Sequence, residues 1–245
     1  MNLTHAIILS AGLGTRMRPL TNTLPKPLIG VNGKPLIDHC LDFLSAAEVN
    51  EVVINTSYRA QQLEDYLAAR THPRIHFSRE EPRPLETGGG IAKALPLLGT
   101  APFLAMNSDA IFPATSPHPI TQLKASWGKD VDFLMLLIPK AHAVGWEGRG
   151  DFVLGEGGRI RRPLAGEDAP YIFSGVEIIR PEMFIGCPEG AFSLSALWSA
   201  RMGEGGWFGR IRAVVHAGPW LNVGDLAGLA AAEAYGGGGS TGKRI

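Results

Sequence analysis

AIILSAGLGTRMRPLTNTLPKPL, residues Ala6–Leu28, begins as a short apolar run and ends as a cationic loop. Ala6-Ile7-Ile8-Leu9 predicts a buried strand. It leads into glycines at 12 and 14, arginines at 16 and 18, and a lysine held between Pro25 and Pro27, with no acidic residue among them. A glycine loop at a strand end lets backbone N–H groups approach anion oxygens with no Cβ in the way. Arg16 adds a planar fork that binds two oxygens at once. Lys26, on a proline-stiffened segment, is a point charge suited to the outer phosphates of a triphosphate. The stretch from Ala11 to Lys26 is therefore a candidate phosphate cradle. The other reading is an ordinary glycine turn with solvated basic residues, which glycine spacing alone does not exclude.

Working outward, further apolar runs fit buried strands: Val52–Ile54, Ile75–Phe77, Pro102–Met106, Phe133–Ile138, Phe152–Leu154, Phe173–Ile179 and Ala213–His216. Between the early ones lie helical patterns at Leu36–Ala47, Gln61–Ala69 and Gly90–Leu98. Strand–helix alternation with short connections predicts an α/β fold with a mostly parallel, doubly wound sheet. The second half, with glycine-rich turns at Gly145–Gly150 and Gly155–Gly158, is expected to add strands and a substrate-facing flap to that sheet. No internal repeat or domain boundary is visible, so residues 1–235 read as one domain. Residues 236–245, Gly/Ser-rich and terminal, read as a disordered tail; Lys243 followed by Arg244 only partly mimics a phosphate loop.

Balanced charge, with 23 basic and 23 acidic residues, leaves no global pull toward nucleic acid or an anionic membrane, so anion binding must be local. No stretch approaches a membrane span or a signal core, which points to the cytoplasm. Cys40 and Cys187 lie far apart without metal spacing and read as reduced, buried thiols. His72 and His76 are separated by Pro73, which argues against a zinc pair, and no nucleophilic Ser–His or Cys–His arrangement stands out.

Two more segments carry chemistry. In PLETGGGIAKAL (Pro84–Leu95) three consecutive glycines, 88 to 90, would weaken a helix interior but let a flat ligand lie close at a helix start. FLAMNSDAIF (Phe103–Phe112) is a strand ending in Asn107-Ser108-Asp109. A carboxylate there points to the crevice where such folds bind ligands, and it suits Mg²⁺, which takes one or two carboxylates plus phosphate oxygens. Capping of the next element is the structural alternative.

The run Gly12, Gly14, Arg16, Pro19-Leu20-Thr21, then Pro25-Lys26-Pro27, resembles the signature of the sugar-1-phosphate nucleotidyltransferases, and the similarity extends to about residue 235. The resemblance implies a Rossmann-like three-layer sandwich of the nucleotide-diphospho-sugar transferase type. It implies that Ala11, Gly12 and Gly14 grip a nucleoside triphosphate while Arg16, Lys26 and Mg²⁺ on Asp109 neutralise the departing pyrophosphate. Gly88 and Gly89, with Glu80 nearby, would seat the base and ribose. The triple-glycine form most resembles the N-acetylmuramate-1-phosphate uridylyltransferases of bacterial cell-wall recycling, which implies UTP and N-acetylmuramate 1-phosphate. Glu80 and Glu81 keep open a hexose- or heptose-1-phosphate guanylyltransferase, since guanine donors suit a carboxylate. A catalytically weak, nucleotide-sugar-binding regulator is a reading of another class.

Departures from the pattern concern the metal and the sugar. In GPWLNVGDL (Gly218–Leu226) the family's second metal aspartate is replaced by Asn222, whose amide ligates Mg²⁺ more weakly and without charge. Asp225, three residues on, would need a different backbone path to compensate. On the acceptor side, Arg162 would hold the sugar phosphate, unless Arg161 and Arg162 are solvated surface residues. Asn107, Gly150, Ser174 and Glu177 would line the sugar, with Gly175 and Asp151 beside them. The partners expected are an NTP and a sugar 1-phosphate, without nucleic acid or membrane, in a monomer or small homo-oligomer.

Overall fold

In the computed structural model, which describes residues 1–115 and 117–237, nine strands form one sheet. In chain order they are β1 (His5–Leu9), β2 (Glu51–Thr56), β3 (Arg74–Arg79), β4 (Phe103–Asn107), β5 (Phe133–Pro139), β6 (Val153–Leu154), β7 (Arg159–Arg161), β8 (Tyr171–Ile179) and β9 (Trp207–Val215). Across the sheet they run β6-β7-β9-β5-β8-β4-β1-β2-β3. β1 pairs in parallel with β2 and β4, and β2 with β3. β8 is inserted antiparallel between β4 and β5, and β9 runs parallel to β5. The second half therefore extends the first sheet, as the sequence predicts.

The helices are α1 (Leu36–Ala46), α2 (Ala60–Leu67), α3 (Glu86–Leu98), α4 (Pro119–Ser126), α5 (Leu194–Ser199) and α6 (Leu226–Gly237). Side chains alternate across a strand, so β1 feeds both faces of the sheet. Ala6 and Ile8 join the apolar cluster of Ile37 and Leu41 on α1, Leu63 on α2 and Leu123 on α4. Ile7 points the other way, to Ile91 and Ala94 of α3 and Leu197 and Trp198 of α5. These are the three layers.

A separate small sheet was not legible in the sequence. Trp220–Asn222 pairs with Ala110–Ile111 on one side and Ala143–Val144 on the other. With α6 it closes over Met17, Val31, Leu221 and Val223. Strands this short carry no readable alternation, and a tertiary partner decides them. For the same reason β7 went unpredicted; α4 and α5 are short, and α6, nearly all Leu, Ala and Gly, shows no apolar stripe.

Three further expectations are corrected. α3 starts at Glu86, not Gly90, so the three glycines lie inside the helix. The N–H groups of Gly88 and Gly89 donate to Phe192 O at 2.9 and 3.1 Å. Packing against that segment offsets the helix-breaking tendency of about 1 kcal/mol per glycine. Cys187 is half-buried, whereas Cys40 is wholly buried and its thiol is pushed up, chiefly by that burial. Gly236 and Gly237 form the end of α6; the remainder of the expected tail, with its partial phosphate-loop pattern, lies outside the described residues. Among the described residues no helix is long and apolar enough to cross a membrane.

Candidate active site

β1 and β4 lie side by side, and the loops leaving their carboxyl ends meet there. After β1 the chain turns through a 3-10 turn at Thr15–Met17. Gly14 enters that turn at φ 62°, where an added Cβ would stand 2.8 Å from the Thr21 methyl group. Thr21 Oγ1 donates to Gly14 O at 2.8 Å, and the Tyr58 hydroxyl donates to Thr21 O at 2.9 Å. The loop is thus shaped from behind, while a Cβ on Gly12 would meet nothing within 4 Å.

Asn55, which the sequence reading missed, ties this loop to the opposite wall. It sits near the end of β2, where its Oδ1 accepts from Ser10 N–H at 2.6 Å and its Nδ2 donates to Glu80 Oε1 at 2.7 Å. Glu80 Oε2 in turn accepts from Leu85 N–H at 2.6 Å. Glu80 is only 1% exposed, so both of its oxygens act as scaffold between the glycine loop and the Pro84–Thr87 wall. A lone amide closing the apolar run Val52-Val53-Ile54 was the available signal.

Lys26 and Asp109 are 83 residues apart in sequence, yet Lys26 Nζ lies 2.6 Å from Asp109 Oδ2. Both are largely shielded, at 13% and 23% side-chain exposure, which strengthens a charged contact relative to one in bulk water. Arg16 is exposed beside them.

Two cavities flank this pair. One, of about 380 Å³, is lined by Ala11, Gly12, Gly14, Lys26, Glu80 and Thr87. The other, of about 600 Å³, is lined by Trp146, Asp151, Ser174, Gly175, Asn222 and Asp225. Arg16, Asn107 and Asp109 line both. A ligand in each cavity would meet its neighbour at those three residues. Among the residues lining the larger cavity Arg16 is the one cation, set against Asp109, Glu147, Asp151 and Asp225.

Several expected site residues stand elsewhere. Gly88 and Gly89 face Phe192 and Gly190 and do not line either cavity; their neighbour Thr87 does. Arg162 lies over the Phe152 ring at 4.4 Å and near Trp198 at 6.0 Å, outside the cavity lining. Its guanidinium pKa is lowered, first by burial, a cost that cation–π contact partly offsets. Arg161 pairs with both oxygens of Glu167 at 2.6 and 2.8 Å, a structural clip. Gly150 packs against Ala169 O, while the adjacent Asp151 lines the larger cavity and accepts from Phe173 N–H at 2.9 Å. Ser174, by contrast, lines the larger cavity, its Oγ accepting from Val176 N–H at 3.2 Å, while Glu177 lies deeper, wholly buried.

Asn222 stands opposite Ala110 in the small sheet, and Val223 N–H donates to Asp109 O at 2.9 Å, so the two expected metal positions are neighbours. Asn222 Nδ2 donates to Gly145 O at 3.3 Å, which commits the nitrogen end of the amide and leaves the oxygen end for a ligand. Asp225 does not replace the missing carboxylate: its Oδ1 accepts from Gly228 N–H at 2.9 Å at the start of α6. Among the described residues no group of three or more His, Cys, Asp or Glu could hold a metal by itself. One carboxylate and one amide oxygen fit Mg²⁺, which keeps waters and takes its other ligands from phosphates.

A nucleotidyl transferase family model matches residues 5–145. The chain is 42% identical to N-acetylmuramate alpha-1-phosphate uridylyltransferase of Caulobacter vibrioides, over 94% of this chain and 95% of that one. It is 38% identical to the Neisseria meningitidis protein of the same name, over 95% and 98%. A UDP-glucose pyrophosphorylase solved with UDP-glucose shares the fold with a TM-score of 0.77 at 19% identity, covering 97% of this chain and 100% of the other.

Proposed function

Because this chain belongs to the nucleotidyl transferase family and moves a nucleotidyl group onto a sugar 1-phosphate, we propose that its donor is UTP and its acceptor N-acetylmuramate 1-phosphate. The products are then UDP-N-acetylmuramate and pyrophosphate, and the setting is cytoplasmic recycling of bacterial cell-wall sugar. The observation that carries the proposal is the 42% identity, over nearly the whole chain, to an enzyme named for that donor and acceptor.

The acceptor phosphate is the nucleophile. It is anionic at neutral pH, so the protein need not supply a strong base. The barrier is electrostatic, because two polyanions must meet in line. In this reading UTP occupies the smaller cavity, its phosphates against the bare amides of Ala11–Gly14. The acceptor enters the larger cavity from the far side of Arg16. Arg16, common to both cavities, holds the acceptor phosphate against the α-phosphate. Lys26 leaves Asp109 and follows the charge that grows on the departing pyrophosphate. Asp109 and the Asn222 amide oxygen would hold Mg²⁺, which when bound neutralises phosphate charge. Glu80 is held as scaffold by Asn55 and Leu85, one partner on each oxygen, and does not by itself select guanine.

The test is pyrophosphate release across UTP, CTP, GTP and dTTP with N-acetylmuramate, mannose and glucose 1-phosphates. Fastest turnover is expected for UTP with N-acetylmuramate 1-phosphate. Preference for GTP with mannose 1-phosphate would overturn the substrate assignment.

A further inference from the structure

A third cavity, of about 200 Å³, adjoins both of the others: it shares Asn107, Phe173 and Gly175 with the larger and Leu9, Thr87 and Asn107 with the smaller. Its polar lining includes Glu177 on β8 and Trp198 on α5, 1% and 6% exposed. Glu177 Oε2 and Trp198 Nε1 are both buried without a hydrogen-bond partner. Burial pushes the Glu177 carboxyl well above the usual carboxylate range, and the nearby indole N–H opposes this without either atom completing a bond. Buried polar groups are rarely left unpaired, so such a pair in a cavity that opens toward a substrate calls for a ligand.

The chemistry of that ligand follows from the lining. No lysine or arginine faces the cavity, so a carboxylate or phosphate would be desolvated there unpaired. Trp198 offers a donor, the neutral Glu177 carboxyl offers an acceptor, and Ala105 and Leu194 offer apolar contact. A secondary amide with a methyl end presents the complementary set: a carbonyl, an N–H and a small apolar tip. A hydroxyl can accept from the indole and donate to the carboxyl, but it brings no apolar end to meet Ala105 and Leu194.

We propose that this cavity is the specificity pocket for an acylamino substituent on the acceptor sugar, with Trp198 Nε1–H donating to the acyl carbonyl and Glu177 Oε2 accepting from the amide N–H. The proposal rests on the sugar-1-phosphate reading and deepens it, by assigning recognition of the acylamino group to two residues that lie away from the phosphates.

The test compares N-acetylglucosamine 1-phosphate with glucose 1-phosphate, both with UTP, in the full chain and in Glu177→Leu, Glu177→Gln and Trp198→Phe. The readout is the ratio of kcat/KM for the two sugars, with UTP binding and thermal melting checking the fold. The wild type is expected to favour the acylamino sugar. Glu177→Leu and Trp198→Phe should each lower that ratio by about tenfold or more, through KM, and Glu177→Gln, which keeps an acceptor, should largely restore it. If Glu177→Leu does not fold, Trp198→Phe decides alone. A wild type that prefers the acylamino sugar together with variants that keep the preference, or that lose both sugars equally, would overturn the pocket and leave the acceptor reading standing. A wild type that prefers glucose 1-phosphate would overturn both.

Discussion

At the scale of single residues, the contact between Lys26 and Asp109 organises the site. A lysine and an aspartate that pair at 2.6 Å in the free protein keep each other's charge neutralised until phosphates compete for the lysine. Lys26→Ala should therefore lower turnover by ~10²–10³, about 2.7–4 kcal/mol of barrier, as loss of a charge-stabilising donor does. Binding of the product nucleotide sugar, which lacks the departing pyrophosphate, should weaken far less; isothermal titration and steady-state kinetics measure the two, and equal losses would reject the role. Asn222→Asp restores a second carboxylate beside Asp109 and should lower the Mg²⁺ concentration for half-maximal rate. A metal titration that does not move would mean the residue is remote from the ion. Arg162 teaches the reverse lesson: its type suited a phosphate, but its guanidinium rests on Phe152.

At the scale of elements, Gly90 of α3 stands where a side chain would press on two residues that line the smaller cavity. A Cβ on Gly90 would lie 2.5 Å from Glu80 Oε1 and 2.8 Å from Asn55 Nδ2. Gly90→Ala should thus cost roughly 1–3 kcal/mol by overpacking and raise the KM for the nucleoside triphosphate more than that for the acceptor. Denaturant melts and kinetics with each substrate varied separately would show it. Unchanged stability would mean that the helix shifts without cost. On α6 the Asp225 carboxylate caps Gly228 N–H, so Asp225→Ala should lower stability by about 1 kcal/mol while leaving the metal requirement unmoved. A changed metal requirement would instead make Asp225 a ligand. The sequence placed the three glycines at a ligand-seating helix start, because bare backbone there admits a flat ligand. It could not show Phe192, more than a hundred residues on, accepting from the same N–H groups.

For the molecule as a whole, net charge is zero and the informative titrations are buried ones. The pKa values of His39, His118 and His216 are lowered, in each case chiefly by burial. As pH falls through about 6.5, the unfolded chain takes up these protons before the folded one, so stability must fall. Glu177 works in the opposite sense: ionised when unfolded above about pH 4.3 but held neutral when folded, it removes stability as pH rises. In Glu177→Gln, where only the histidine effect is left, melting temperature should be level from pH 8 to 7 and drop from about 6.5 toward 5, and the variant should gain on the wild type more at pH 8 than at pH 5. A profile that is flat through the acid range would show that the histidines protonate freely while folded.

Sequence by itself determined the α/β class, most strand positions, and the cationic glycine loop of Ala11–Lys26. Those features depend on local periodicity and on residue chemistry that does not need a partner. Only the tertiary structure decided that Lys26 meets Asp109, that Asn55 and Glu80 tie two walls together, and that Asn222 sits beside Asp109 through a small sheet. It also turned Gly88, Gly89 and Arg162 away from the two larger cavities and set Glu177 against Trp198. Each of these is a pairing across long sequence separation. Such a pairing is settled by which surfaces the packed layers bring into contact, and neither partner's own sequence neighbourhood records it.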